Sequence, residues 1–202
     1  MACLAITASS WDAVAEFNDS ANPDAKNPSG VWSYGWKKIL AGRFFLALTH
    51  CNDLPPTSGW SSASGNPEIG HNSHSFPVTL APDALTLPPH ALFMRPGLNG
   101  EYAVLRFTAP ADGTYKASGQ FYALGDNGIG ATTDVWILPN ENKTAAFSAL
   151  LAYSSGARAA SFTSKVYPLR KGNTLDFEVG YGANKNYDND ITGLIALIEV
   201  VR

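Results

Sequence analysis

Charge is scarce in this sequence. Asp, Glu, Lys and Arg make up 15% of its 202 residues, against roughly 25% in an average soluble domain. Lys and Arg number 14 against 17 acids, so there is no basic excess to neutralise phosphates and nucleic-acid binding is not expected. Ser, Thr, Asn, Gly and Ala must cover the surface instead. Cysteine is nearly absent: Cys3 and Cys51 are the whole supply. That is too little for a disulfide scaffold or an all-thiolate zinc site, and enough for one bridge in an oxidising compartment. No run approaches the ~20 apolar residues that span a bilayer. The apolar opening, residues 1–8, lacks a basic start, so residues 1–10 read as a leader remnant or a tail. Long helical periods are missing too, because 13 Pro and 18 Gly cut the chain into short segments.

What is present is core material and strand patterning. Hydrophobic residues reach 45% and aromatics 11%, ample for a packed interior and too much for a disordered chain. Residues 11–30 form a polar, turn-rich opening. Trp32, Tyr34 and Trp36 then alternate, which puts three aromatics on one face of a strand. Phe44–Leu48 is a second strand. Residues 52–100 carry eight of the prolines and read as long irregular loops with short strands. From residue 103 the texture is regular. Strands are expected over 103–108, 114–124, 132–138, 146–153, 160–166 and 175–181, with turns rich in Gly, Pro and Asn between them. Gly193–Val201 is apolar on both faces, which marks a central strand. No helical pattern of 10–15 residues separates these strands. The expected fold is therefore all-β, an antiparallel β-sandwich of jelly-roll type with a long Pro/Gly-rich loop region, as a single domain over residues 11–202. Residues 52–100 are expected to fold over one face or end of the sandwich as an ordered lid. Their apolar side chains, Phe76, Val78, Leu85, Leu87, Leu92, Phe93 and Met94, are too many to leave in water.

Several phrases carry a resemblance. Asn27-Pro28-Ser29-Gly30-Val31-Trp32-Ser33-Tyr34-Gly35 comes first, followed by Arg95-Pro96-Gly97. Val104 to Tyr115 includes Thr108-Ala109-Pro110-Ala111-Asp112-Gly113-Thr114-Tyr115. Thr133 to Ile137, Gly172 to Gly180 and Asp190 to Leu194 complete the set. In this order the chain resembles jelly-roll carbohydrate-binding modules of bacterial secreted and cell-surface proteins. The resemblance implies a β-sandwich and an extracellular or cell-surface location. Where that pattern often has His before Pro-Gly, this chain has Arg95.

The residues themselves suit that class. Sugar rings present C–H faces that stack on aromatic rings, and amide and hydroxyl side chains bind their hydroxyl groups. The expected function is non-catalytic binding of a polysaccharide or glycoconjugate. Trp60 lies in the polar phrase Ser58-Gly59-Trp60-Ser61-Ser62 and is expected to be exposed. The ligand groove is placed there, with Trp60, His71, His74 and Arg95 at the polar edge of the lid, beside the strand carrying Tyr122. A structural calcium ion is expected where the opening segment (Asp19, Asn22) meets the pre-terminal loop (Asp188, Asp190), because hard cations collect Asp, Asn and carbonyl oxygens. Two alternatives remain open: a structural or adhesive surface domain, and a small polysaccharide-active enzyme centred on Glu68, His71, His74 and Arg95. No nucleophile elbow is present. Gly125-Asp126-Asn127-Gly128-Ile129-Gly130 links two strands and reads as a hairpin loop.

Overall fold

A computed structural model describes residues 9–20, 25–51, 57–80, 85–125, 131–153 and 155–201. The regular elements among the described residues are all strands. β1 (Ser10–Asp12), β2 (Trp32–Lys37), β3 (Phe44–Leu46) and β4 (Thr49–Cys51) open the chain. The proline-rich region contributes β5 (Thr57–Ser61), β6 (Glu68–Asn72), β7 (Val78–Leu80), β8 (Leu85–Leu87) and β9 (Leu92–Arg95). β10 (Tyr102–Thr108), β11 (Gly113–Ala123), β12 (Thr132–Pro139), β13 (Phe147–Ala152), β14 (Ala159–Leu169), β15 (Thr174–Val179) and β16 (Thr192–Val201) complete the chain. No helix among the described residues is long and apolar enough to cross a membrane.

These strands make two antiparallel sheets packed face to face as a jelly-roll sandwich. One sheet runs β14-β11-β16-β9-β6-β5-β4, with β1 paired to β16, and the other runs β13-β12-β15-β10-β2-β3. Consecutive strands from β9 to β12 alternate between the two. β16 is central, as expected: β11 flanks its whole length, and β9 and β1 share its other side, although its outer face is partly open, with Ile195 51% exposed.

Alternation supplies the core. Leu105, Phe107, Leu175, Phe177, Val135 and Ile137 point inward from one sheet, and Tyr115, Phe121, Leu194, Ile198, Ile69 and Leu92 from the other, all buried. Phe162 and Phe177 meet between the sheets with ring centroids 5.7 Å apart. Each such side chain contributes about 1.5–3 kcal/mol through burial.

The proline-rich region is more regular than its composition suggests. β5, β6 and β9 extend the first sheet, so Leu92 and Met94 enter the main core. The lid itself is the β7–β8 hairpin. Val78, Leu80, Leu85 and Leu87 pack with Phe93 and Ile191 into a second apolar cluster, which lies on the outer face of that sheet. Phe76 stays 53% exposed. Glycine makes this outer layer possible at two places. A Cβ on Gly70 would lie 2.3 Å from the Phe93 ring, and one on Gly193 would lie 2.2 Å from the Tyr122 ring.

Candidate functional site

The residues expected to share one groove are dispersed. Trp60 is a mid-strand residue of β5, 6% exposed, and belongs to the main core. Its ring stacks parallel to Tyr34 and meets His50 edge-on at 4.9 Å. The expectation of an exposed loop tryptophan is overturned, because Ser58, Gly59 and Ser61 are strand residues whose period of two turns Trp60 inward. His71 is 5% exposed and also faces inward. Its Nδ1 lies 2.9 Å from both Asp19 carboxylate oxygens, and Ser58 Oγ donates to Asp19 Oδ1 at 2.6 Å. His74 is half-buried against Phe76, ring centroids 4.5 Å apart. Tyr122 lies over Gly193 on the outer face of the sheet, and burial raises its pKa. Arg95 is in register with Glu68, while His71 is in register with Leu92, so the two sit at opposite ends of the β6–β9 ladder. Glu68 and His71, at even and odd positions of one strand, face opposite sides of the sheet. The set proposed for enzyme chemistry therefore does not converge on one cleft.

The two halves of the expected calcium site are also apart. Asp19 lines a cavity of about 350 Å³ with Asp12, Ser73, His71 and His90. Asp188 lines one of about 180 Å³ at the other end of β6, with Asn66, Arg95, Tyr187 and Asn189. Asn22 lies outside the described residues, as do Cys3 and residues 126–130. Among the described residues no group of three or more His, Cys, Asp or Glu could hold a metal ion. Asp190 is nevertheless notable. It is fully buried, and neither carboxylate oxygen has a hydrogen-bond partner of good geometry among the described residues. Burial drives its pKa up to about 8, opposed by the Thr132 backbone and reinforced by the Asp134 and Asp188 charges.

A different constellation answers the description of a sugar site. It lies at the end of the sandwich where the β5–β6 turn meets the last residues of β2. Trp36 has the inward parity of Trp32 and Tyr34, but it sits beyond the reach of the opposite sheet and is only half-buried. Its ring stacks on Phe45, centroids 4.7 Å apart and planes 23° apart. With Ser62, Ala63, Ser64, Asn66, Pro67 and Glu101 it lines an open cavity of about 220 Å³.

Local hydrogen bonds fix these walls. In the turn, Gly65 N donates to Ser62 O at 3.0 Å and Ser62 N to Pro67 O at 3.1 Å. Gly65 takes a left-handed φ of 88° that favours glycine. The Ser62 and Ser64 hydroxyls lie 3.0 Å apart, and Ser64 also donates to Asn66 O at 3.0 Å. On the facing side, Glu101 accepts from Asn99 N at 2.9 Å and Asn99 Nδ2 at 3.1 Å, which holds its carboxylate at the rim. Asn66 Oδ1 is buried without a hydrogen-bond partner among the described residues. Asn66 also lines the neighbouring cavity that contains Arg95 and Tyr187. Trp36 was visible in the sequence as the third member of the alternating aromatics. Its Ser/Asn neighbours were not, since they come from a turn some thirty residues away.

The outer face of the second sheet holds a charged cluster that the sequence did not announce. Lys37 Nζ lies 2.7 Å from both Asp176 and Glu178, all three fully buried. Arg106 makes a bidentate bond to Asp176 at 2.7 and 2.8 Å and pairs with Glu141. Phe44 lies over the Arg106 guanidinium at 4.0 Å. Glu178 Oε2 has no hydrogen-bond partner of good geometry among the described residues, and burial raises its pKa to about 7 against the pull of Lys37.

No protein-family model matches the chain, and no curated protein does. Among solved structures, similarity is found to β-sandwich carbohydrate-binding modules. A family 35 module from Clostridium thermocellum is 21% identical, with 54% of this chain and 76% of that one covered at a TM-score of 0.33. TmCBM61, solved with β-1,4-galactotriose, is 8% identical, with 73% and 90% covered at a TM-score of 0.37. A CBM4 structure is 13% identical, with 57% and 70% covered at a TM-score of 0.29.

Proposed function

We propose that the chain is a non-catalytic carbohydrate-binding module that works outside the cell, with the Trp36 groove as its binding site. One observation carries this reading. A half-buried indole lines an open groove together with serine hydroxyls, the Asn66 side chain and a braced carboxylate. An apolar face beside converging hydroxyl-binding groups is what a neutral sugar ring requires. Trp36 would stack on the ring, Asn66 Oδ1 would accept from one sugar hydroxyl, and Glu101 would accept from others at the rim.

Affinity electrophoresis across plant, algal and bacterial polysaccharides tests the reading. The protein is expected to be retarded by at least one polymer. Trp36→Ala and Asn66→Ala are each expected to weaken that retardation tenfold or more, a loss of about 1.4 kcal/mol. No retardation on any polymer, or full retardation of Trp36→Ala, overturns it.

For calcium we propose the pre-terminal loop alone. Asp190 supplies a buried carboxylate whose oxygens have no hydrogen-bond partner of good geometry among the described residues, and Asp188 a second carboxylate close enough to raise its pKa. The carboxylate of Asp19 is already engaged by His71 and Ser58 and does not fit. A divalent cation held by Asp190 and Asp188 would keep the buried acid ionised and brace the loop that leads into β16.

A further inference from the structure

The sequence contains three Asn-x-Ser/Thr triplets, at Asn18, Asn27 and Asn142, and the structure separates them. Proline at position 28 bars the second as an acceptor of N-linked glycan. Asn18 has its amide engaged on both sides: Nδ2 donates to Lys26 O at 3.2 Å and Oδ1 accepts from Ser20 N at 3.0 Å. The residue between them, Asp19, is tied to His71 and Ser58.

Asn142-Lys143-Thr144 is different. All three residues are exposed, at the tip of the connection between β12 and β13. Left-handed Asn140 and Glu141, with φ of 52° and 56°, turn the chain, and Asn142 N donates to Pro139 O at 2.9 Å. Asn142 Oδ1 accepts from Thr144 N at 3.1 Å, while Asn142 Nδ2 and the Thr144 hydroxyl make no hydrogen bond among the described residues. The carboxamide oxygen is anchored, the nitrogen points free, and the hydroxyl two residues on is available to a transferase.

We propose that Asn142 is this chain's acceptor site for N-linked glycosylation. The proposal rests on the extracellular part of the reading above, because the reaction needs a secretory compartment that holds a lipid-linked oligosaccharide pyrophosphate. A bond forms between Asn142 Nδ2 and the anomeric carbon of the donor sugar. The bond from that carbon to the pyrophosphate oxygen breaks, the lipid pyrophosphate leaves with its electron pair, and one amide proton passes to a base of the transferase. The site lies away from the groove. Pro139 is in register with Leu175, Leu175 with Phe107 and Phe107 with Trp32, whereas Trp36 pairs with Ala103 at the far end of β2. A glycan on Asn142 therefore leaves the Trp36 groove open.

The test is secretion of the full chain from yeast behind a cleavable signal sequence, with intact mass measured before and after peptide N-glycosidase. One glycan is expected, mapped to Asn142, lost in Asn142→Gln and in Thr144→Ala and kept in Asn18→Gln. A secreted chain without glycan, or a glycan carried on Asn18, overturns the proposal. Polymer retardation of unglycosylated protein from bacteria is scored separately, so a failure of the binding reading is distinguishable from a failure of this one.

Discussion

Tyr34 and Trp60 lie face to face across the sandwich, with ring centroids 6.5 Å apart and planes 3° from parallel. This pair joins β2 of one sheet to β5 of the other. It fixes how the proline-rich region docks on the regular half of the molecule. Trp60→Ala is therefore expected to cost about 3–5 kcal/mol, the range for emptying a large aromatic site in a core. Polymer retardation of whatever fraction remains folded should be unchanged. Urea unfolding followed by fluorescence measures the first, and affinity electrophoresis below the transition the second. A variant of wild-type stability that no longer binds would place Trp60 at the ligand after all.

Trp36 should behave in the opposite way. It is half-buried at the end of β2, with Phe45 on one side and the groove on the other. Removing it takes little from the core, so the melting temperature of Trp36→Ala should fall by far less than that of Trp60→Ala. A comparable fall in both would make Trp36 a packing residue and leave the groove without a floor.

The buried charges on the second sheet give a third expectation. Lys37 bridges Asp176 and Glu178, and all three side chains are fully buried. Removing one partner of a buried pair leaves an uncompensated charge and costs about 3–5 kcal/mol. Lys37→Met should show that loss, and adding Glu178→Gln should recover a good part of it, because the uncompensated carboxylate is then gone. Additive losses in the double variant would mean that the two residues do not interact energetically. The folded pKa of Glu178, about 7, lies above the usual glutamate value. A raised carboxylate pKa means the folded state holds the proton longer than the unfolded chain does. The stability it contributes is fully present below about pH 4.3, the ordinary glutamate pKa, and is lost as pH rises through 7. Glu178→Gln should flatten that part of the stability–pH curve.

Much of the fold was legible because period two is a local signal. The strands from β10 onward, the aromatic alternation of β2 and the central place of β16 follow directly from which residues are apolar. β14 shows where this stops. Tyr167 and Leu169 point inward at odd positions and Phe162 at an even one, because an extra residue opposite Ala117 and Gly119 shifts the register. No alternation count finds a bulge of that kind, nor an edge strand that continues through Pro168. β14 is an edge strand, where a residue without an N–H is tolerated. The phrases that carried the resemblance turn out to be largely structural. Asn27 Nδ2 donates to Tyr34 O at 2.6 Å and Ala47 O at 2.8 Å, clamping β2 to the next connection. The site was less legible than the fold. Trp60 sits among small polar residues and looked exposed, yet those residues are strand positions. Trp36 keeps the core-facing parity of Trp32 and Tyr34 yet is only half-buried, because how far a facing sheet reaches is set by pairing distant in sequence.

Asp190 gives the last prediction. Its carboxyl is buried with no hydrogen-bond partner of good geometry among the described residues, and burial raises its pKa to about 8. Without metal, it contributes stability below about pH 3.9, the ordinary aspartate pKa, and that stability drains away as pH rises through 8, for the same reason as at Glu178. A bound calcium ion reverses this, since it favours the ionised form and binds only the folded chain. At a hundredfold excess over Kd the gain is about 2.7 kcal/mol. Thermal melts at pH 8 should therefore fall in EDTA and recover with Ca²⁺ but much less with Mg²⁺, which gives up its water reluctantly. Asp190→Asn keeps the shape of the side chain and removes its titration. That variant should be indifferent to both EDTA and calcium, and in EDTA its stability should no longer decline between pH 4 and 8 on account of this residue. Asp19→Asn, at the other end of β6, should keep the full calcium response. A wild-type melt that ignores EDTA, or a calcium response lost in Asp19→Asn and kept in Asp190→Asn, would remove the cation from the pre-terminal loop and leave Asp190 a neutral acid packed in the fold.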